Sequence, residues 1–420
     1  MLAQETEPTA VYRLQVTTDR AAPIYARDEA VTFTIQVSRG EVPVDDVRVK
    51  WTISKDGVAP IRTGEAKLEN GTFMVSGKLD EPGFLQCRVE MMPSEGATQT
   101  ALASAAIEPS RIMPSLPPPD DFDLYWKEQR RRLNDVPLNV RLTPIPTTIG
   151  GVECFDVQAD GLGGPLSAVI ARPIGAKAKS LPAIVLCHGA GVQSSQVSSA
   201  IEWAKEGMLA LDFNVHGLPN RKPRAFYTDL YAGELKSYPL RGRESRETAF
   251  FREMYLRLMR ALDTACAQSE WDGRTLVVFG RSQGGGQAIV AGGLDRRVTF
   301  CAAQLPAMCD HTGCAVDRIN GWPKLVSMNA AGVYDETLLT VARYFDAVNF
   351  AARSKAEAIF TVGYLDLTCP PTGVYAAFNA WPGKKKMLDL PKVGHVADAS
   401  SDRAAKQAVL KHVKSQGAAR

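Results

Sequence analysis

From Ala10 to about Ile107, apolar and polar positions alternate with period two in "AVYRLQVTT", "AVTFTIQVS", "VRVKWTISK", "GTFMVSGKL" and "GFLQCRVEMM", with turn residues such as "ENG" and "DEPG" between the runs. Successive side chains of a strand point to opposite faces, so short alternating runs with no helical period predict half-buried strands. Several such runs at regular spacing predict an all-β, immunoglobulin-like sandwich over residues 1–108. Trp51 and Cys87 suit the interior of such a sandwich, but no second cysteine stands ready to bridge the sheets, so only the architecture is predicted. Pro109, Pro114, Pro117, Pro118 and Pro119 follow closely and make residues 109–119 a stiff linker or a strap lying on a surface.

The period changes after that segment. "DDFDLYWKEQRRRLN" reads as a capped amphipathic helix, and "SRETAFFREMYLRLMRALDTACAQ" places apolar residues at i, i+3, i+4 spacing. Between helical stretches lie the strand candidates "PLSAVIARP", "PAIVLCHG", "MLALDFNV", "TLVVFG", "FCAAQLPAM", "AIFTVGYLD" and "KKMLDLPKV". This alternation predicts an α/β domain over residues 120–420, with a mostly parallel sheet covered on both faces. Its working residues should collect at the carboxyl ends of the strands.

Composition narrows the partners. The chain has 420 residues, 45% hydrophobic and 23% charged, and a formal net charge of +3, too balanced to call for nucleic acid or a membrane surface. No apolar run reaches the roughly 18 residues of a membrane-spanning helix. The 8 cysteines are scattered and leave the redox compartment open. The start shows no basic region followed by an apolar stretch, yet Leu2-Ala3-Gln4 suits the remnant of a removed signal, which carries an expectation of secretion or a periplasmic location.

The chemistry centres on "VVFGRSQGGGQAIVAGG". It has neither the spacing of a phosphate-binding P-loop nor that of a dinucleotide fingerprint. It does contain Gly280-Arg281-Ser282-Gln283-Gly284 between a strand-like run and a helix-like one, the setting of a nucleophile elbow. A serine hydroxyl needs a base to take its proton and an acid to orient that base. In an α/β-hydrolase these follow in the order Ser, Asp, His, and Asp366 in "YLDLTCPP" and His395 in "PKVGHVAD" both stand where a predicted strand ends. Asp346, Asp389 and Asp398 compete with Asp366; of the other histidines, His188 and His216 precede the serine, His311 lies between Cys309 and Cys314, and His412 lies on the last helix. The oxyanion formed during acyl transfer needs waiting donors. The backbone of Gln283 and that of Ala190, in "LCHGAG", are the candidates. "MCDHTGC" has too few ligands for zinc and suggests buried thiols or a disulfide, while Arg241 or Arg243 of "PLRGRESRE" either faces the site or lies on a solvated surface.

With Ser282, Asp366 and His395 in place, "DFDLYWKEQRRRL", "LCHGAG", "GRSQGGGQA" and "YFDAVNFAARSKAEAIFTVGYLDLTCPPTGVYAAFN" make the chain resemble the acetyl xylan esterase / cephalosporin C deacetylase family of α/β-hydrolases, carbohydrate esterase family 7, over roughly residues 115–415. The resemblance implies a serine carboxylic ester hydrolase that removes acetyl groups from acetylated carbohydrate such as xylan or xylo-oligosaccharides, with no cofactor and no metal. It also maps the oxyanion hole onto Ala190 and Gln283. The chain departs from the family's pattern: "DFNVHGLPN" replaces the usual Arg-Gly-Gln segment, Ala190 replaces a tyrosine, and Val396 replaces a glutamate after the last histidine. Together with the added β-domain, these changes withhold the expectation of the family's hexamer. Trp322 and Tyr364 are the candidates for stacking on a sugar ring. A serine peptidase of the same fold, or a carbohydrate-binding protein with an inert hydrolase domain, are the competing readings.

Overall fold

The computed structural model describes residues 12–45, 47–91 and 97–418, so the Leu2-Ala3-Gln4 start lies outside the described residues. Residues 12–107 form two facing sheets. In one, Val31–Arg39 pairs antiparallel with Tyr12–Thr18, Val42–Pro43 and Thr72–Gly77. The other runs in the order Ile24–Tyr25, Gln99–Ile107, Gly83–Met91, Arg48–Lys55, Pro60–Lys67. The alternating residues meet in a core that includes Val31, Phe33 and Ile35 from the first sheet and Val49, Trp51 and Cys87 from the second. Gly64 makes room for Trp51: a Cβ there would lie 2.4 Å from the indole ring.

The second sheet is also covered on its outer side around Phe84 and Ala106. Phe84 and Ala106 belong to the core of the following domain. The Phe84 ring packs 5.0 Å from that of Tyr364 and 5.9 Å from that of Tyr375. Beside it, the carboxylate of Asp56 accepts from the Phe84 N–H at 3.1 Å and from the Thr372 hydroxyl. The proline-rich segment lies flat as a strap. Asn379 Nδ2 donates to the Pro109 and Ile112 carbonyls at 2.9 and 2.8 Å, Ser115 donates from both N–H and hydroxyl to Asp310, and Ile112 is fully buried.

The α/β domain is built on a nine-stranded sheet in the order Arg141–Ile145, Val152–Ala159, Leu166–Pro173, Leu209–Asn214, Leu181–Cys187, Trp271–Arg281, Phe300–Gln304, Glu357–Gly363, Lys385–Leu390. The first four strands pair antiparallel and the last six are mutually parallel. Phe122–Asn134, Phe250–Cys266 and Gln283–Leu294 cover one face, while Val197–Lys205 and Ala399–Ala418 cover the other. Burial on both faces explains the nearly unbroken apolar runs of the central strands. The loops at the carboxyl ends of four of these strands carry His188–Gly191, Ser282, Asp366 and His395.

Candidate active site

Ser282 sits between the strand Trp271–Arg281 and the helix Gln283–Leu294 with φ 56° and ψ −122°, a conformation most L-residues avoid. The turn is tight because glycines flank it. A Cβ on Gly280 would come within 2.3 Å of the Gly284 backbone, and one on Gly284 within 1.9 Å of the Cys187 carbonyl oxygen. The spacing Gly-x-Ser-x-Gly is therefore a steric requirement of the bend, which lifts the serine above the end of the sheet.

His395 Nε2 lies 2.9 Å from Ser282 Oγ, and His395 Nδ1 lies 2.7 Å from Asp366 Oδ2. Asp366 is fully buried, and its second oxygen accepts the N–H groups of Thr368 and Cys369 at 2.8 and 2.7 Å. With Nδ1 donating to the carboxylate, Nε2 is left to accept the serine proton. The rival aspartates are engaged elsewhere: Asp346 holds the backbone of Asp310 and His311, Asp389 accepts from the hydroxyls of Tyr364 and Tyr375, and Asp398 accepts the Ser401 N–H. His412 contacts Thr299, and burial pushes His311 down to about 3, which leaves it neutral.

Gln283 opens its helix, where backbone N–H groups have no acceptor in the preceding turn. Facing it is the loop His188–Gly191, fixed by contacts the sequence did not announce. Gly191 donates its N–H to Tyr238 Oη at 3.0 Å and accepts from His216 Nε2 at 3.0 Å, and Tyr238 donates in turn to Gln283 Oε1 at 2.8 Å. The His216 ring packs edge-on to Tyr238 at 4.6 Å, and burial lowers its pKa to about 4. A His-Gly pair after a strand and a Tyr-Pro in a turn are too common to have pointed to this network.

The loop His188–Gly191 borders two hollows. One, of about 260 Å³, is lined by Ala190, Gly191, Tyr231, Tyr238 and Trp322. Trp322 is half-buried there, and its backbone N–H reaches the Thr368 carbonyl beside Asp366 at 2.7 Å. The other, of about 440 Å³, lies against Gly189, Trp203, Asp212, Phe279 and the Arg281–Asp402 ion pair. Tyr364 corrects an expectation. It is fully buried against Phe84 with its hydroxyl on Asp389, so it cannot stack on a ligand; it follows a strand buried on both faces and points into the domain joint. Arg241 pairs with Glu253, and Arg243 donates to the Leu325 carbonyl, so neither guanidinium is aimed at Ser282. Cys309 and Cys314 are free thiols, as are the other six cysteines. Among the described residues, the one group of donors spaced to hold a metal ion is Asp366, Cys369 and His395.

A serine elbow at the carboxyl edge of a mostly parallel sheet, with a histidine on the serine and an aspartate on the histidine, defines the α/β-hydrolase class. Residues 108–412 match the acetyl xylan esterase family, and the chain belongs to it; it is a carboxylic ester hydrolase. It is 28% identical over 353 residues to an acetyl esterase of Xylanibacter ruminicola, a match spanning 82% of this chain and 78% of that one. Such a span is longer than residues 120–420 and so reaches into the β-domain. Among solved structures, an acetyl xylan esterase from Paenibacillus sp. R4 superposes with TM-score 0.63 at 26% identity, covering 72% of this chain and 98% of its own. Acetyl xylan esterase 1 from Thermoanaerobacterium sp. JW/SL YS485 shares the fold, with TM-score 0.61 at 22% identity over 73% of this chain and 98% of its own.

Proposed function

We propose that this chain deacetylates acetylated xylan or xylo-oligosaccharides through an acyl-enzyme on Ser282. The observation that carries the reading is the continuous relay from Ser282 Oγ to His395 Nε2 and from His395 Nδ1 to Asp366, at 2.9 and 2.7 Å. Ser282 Oγ attacks the acetyl carbonyl while His395 takes its proton, and Asp366 stabilises the imidazolium without itself being protonated. The backbone N–H groups of Gln283 and Ala190 receive the oxyanion. As the tetrahedral intermediate collapses, His395 returns its proton to the departing sugar oxygen. Water, deprotonated by His395, then attacks the acetyl-serine, and as the second tetrahedral intermediate collapses His395 gives that proton to Ser282 Oγ, releasing acetate and restoring the serine.

Close backbone packing supports a small acyl group. A Cβ on Gly285 would lie 2.8 Å from the Gln304 carbonyl oxygen and one on Gly286 2.4 Å from that of Ala307, so the helix behind Ser282 is pressed against the neighbouring loop. The Cys369 thiol also lies close to the serine. One added methylene in an apolar pocket changes discrimination by only about 1–3 kcal/mol, so strong acetyl preference needs obstruction of this kind. The test is a series of aryl esters of increasing acyl length alongside acetylated xylan, with and without chelator. Fastest turnover on acetyl esters and release of acetate from xylan are expected; an optimum at octanoyl esters, or loss of activity with chelator, would refute the assignment.

A further inference from the structure

The Cys369 thiol interacts electrostatically with the Ser282 side chain, although the ester chemistry described above gives it no task. One donor atom from each of Cys369, Asp366 and His395 lies within 4.8 Å of the others. Cys369 and Asp366 are buried, while the His395 side chain keeps 25% of its surface exposed and so leaves a way in for a small ion. We propose that these three residues form an inhibitory site for a thiophilic divalent cation of the zinc or cadmium type, which switches the esterase off by occupying the base that Ser282 depends on. The inference rests on the assignment of Ser282 and His395 made above and adds a mode of regulation to it.

The donor chemistry supports that class of ion. A thiolate, an imidazole nitrogen and a carboxylate oxygen suit zinc and its heavier congener, whereas magnesium and calcium prefer oxygen alone. Ligand atoms around a tetrahedral zinc stand roughly 3–4 Å apart given bonds of about 2.0–2.3 Å, so a modest inward movement of the three side chains completes the site. On binding, the Cys369 S–H gives its proton to solvent and the sulfur bonds the metal. A neutral imidazole has one lone pair. Once the metal takes it, His395 cannot accept the serine proton whichever nitrogen is the ligand. A fourth position is left for water.

The test uses the full chain and two independent readouts. Cadmium is titrated while thiolate-to-metal charge-transfer absorption is followed, and Ser282 labelling by a fluorophosphonate is measured with and without zinc. One equivalent of cadmium bound through a thiolate and zinc-dependent protection of Ser282, both reversed by chelator, are expected. In Cys369→Ala, compared with its own metal-free rate, the protecting zinc concentration should rise by at least about tenfold, the scale on which even outer-shell changes weaken a metal site; Cys369→Ser serves if the alanine variant does not fold. Equal zinc sensitivity in parent and variant, or no thiolate band in the parent, would overturn the proposal. Failure of Ser282 to label in the absence of metal would instead count against the nucleophile, while the absorption titration still decides the metal site.

Discussion

The Tyr238 hydroxyl donates to Gln283 Oε1 across 2.8 Å, and through its acceptance of the Gly191 N–H it ties the residue after Ser282 to the loop that carries Ala190. Both proposed oxyanion donors thus hang on one phenol. Tyr238→Phe keeps the ring against His216 and Phe250 but leaves the Gly191 N–H and the Gln283 amide oxygen without this partner. Removing a direct oxyanion donor costs about 10²–10³ in kcat, so a positioning residue should cost less, on the order of tenfold, with KM for a small aryl acetate nearly constant. An unchanged kcat in steady-state assays would show that the loop is held by other contacts.

Ser282→Ala should abolish turnover, by on the order of a million-fold in kcat, while the melting temperature stays near that of the parent. Gly284→Ala should do the reverse of this separation and lower both together. Its Cβ would lie 1.9 Å from the Cys187 carbonyl oxygen, and neither the strand end nor the helix start can yield. A folded, fully active Gly284→Ala protein would show that the elbow relaxes more freely than the close packing indicates.

The elbow and the central strands were legible because they combine a local steric rule with long apolar runs. The edge strand Arg141–Ile145, "RLTPI", was not, being mostly exposed and containing a proline. Pro60–Lys67 is similarly polar and exposed, and Gln99–Ile107 is alanine-rich with its last five residues buried, so neither shows the alternation of its neighbours. Motif and chain order pointed to Ser282, Asp366 and His395, which the structure brings into hydrogen-bond contact. Tyr238 and His216 act through contacts between residues far apart in the chain, which no period or motif encodes. Tyr364 misled because an aromatic beside a candidate acid reads the same whether it faces a ligand or a neighbouring domain.

The β-domain is fastened to the hydrolase by Phe84, whose ring lies in the core of the other domain. Phe84→Ala should destabilise the protein by about 3–5 kcal/mol, the usual range for truncating a buried phenylalanine. Because Tyr364 lies two residues before Asp366, esterase activity should decline before global unfolding as temperature rises. Coincident loss of activity and near-ultraviolet circular dichroism in the variant would argue against that coupling.

Burial raises Asp212 to about 7, so the folded protein holds a proton that the unfolded chain releases near the ordinary carboxylate value of about 4. The linkage has a definite sign. The stability contributed by the neutral acid is fully present below about pH 4 and is lost as pH rises toward 7. Asp212→Asn preserves an acceptor for the Gln196 N–H, now 3.0 Å from the carboxylate, without the charge. The difference in melting temperature between variant and parent should therefore shift in favour of the variant from pH 5 to pH 8. His216, lowered by burial to about 4, works in the opposite sense as pH falls from about 6.5 toward 4. That term is common to both proteins and cancels in the comparison, so parallel melting profiles would remove Asp212 as the source.

Trp322 is the remaining aromatic candidate for holding the sugar, and its position separates substrate binding from chemistry. It shares a hollow with Ala190 and Tyr231, and its backbone is anchored to Thr368, so truncating the side chain leaves that anchor in place. Aromatic faces bind sugar rings by apolar contact that is already complete in the bound ground state, and loss of such uniform binding raises KM with little change in kcat. Trp322→Ala should accordingly raise KM for acetylated xylo-oligosaccharides about tenfold or more, equivalent to roughly 1.4 kcal/mol, while a small aryl acetate that does not reach the ring is cleaved almost as before. Parallel steady-state assays on the two substrates decide the matter: an equal loss on both would mean that the indole supports the acid loop, and no loss on either would place the sugar in the wider hollow beside Trp203 and Phe279.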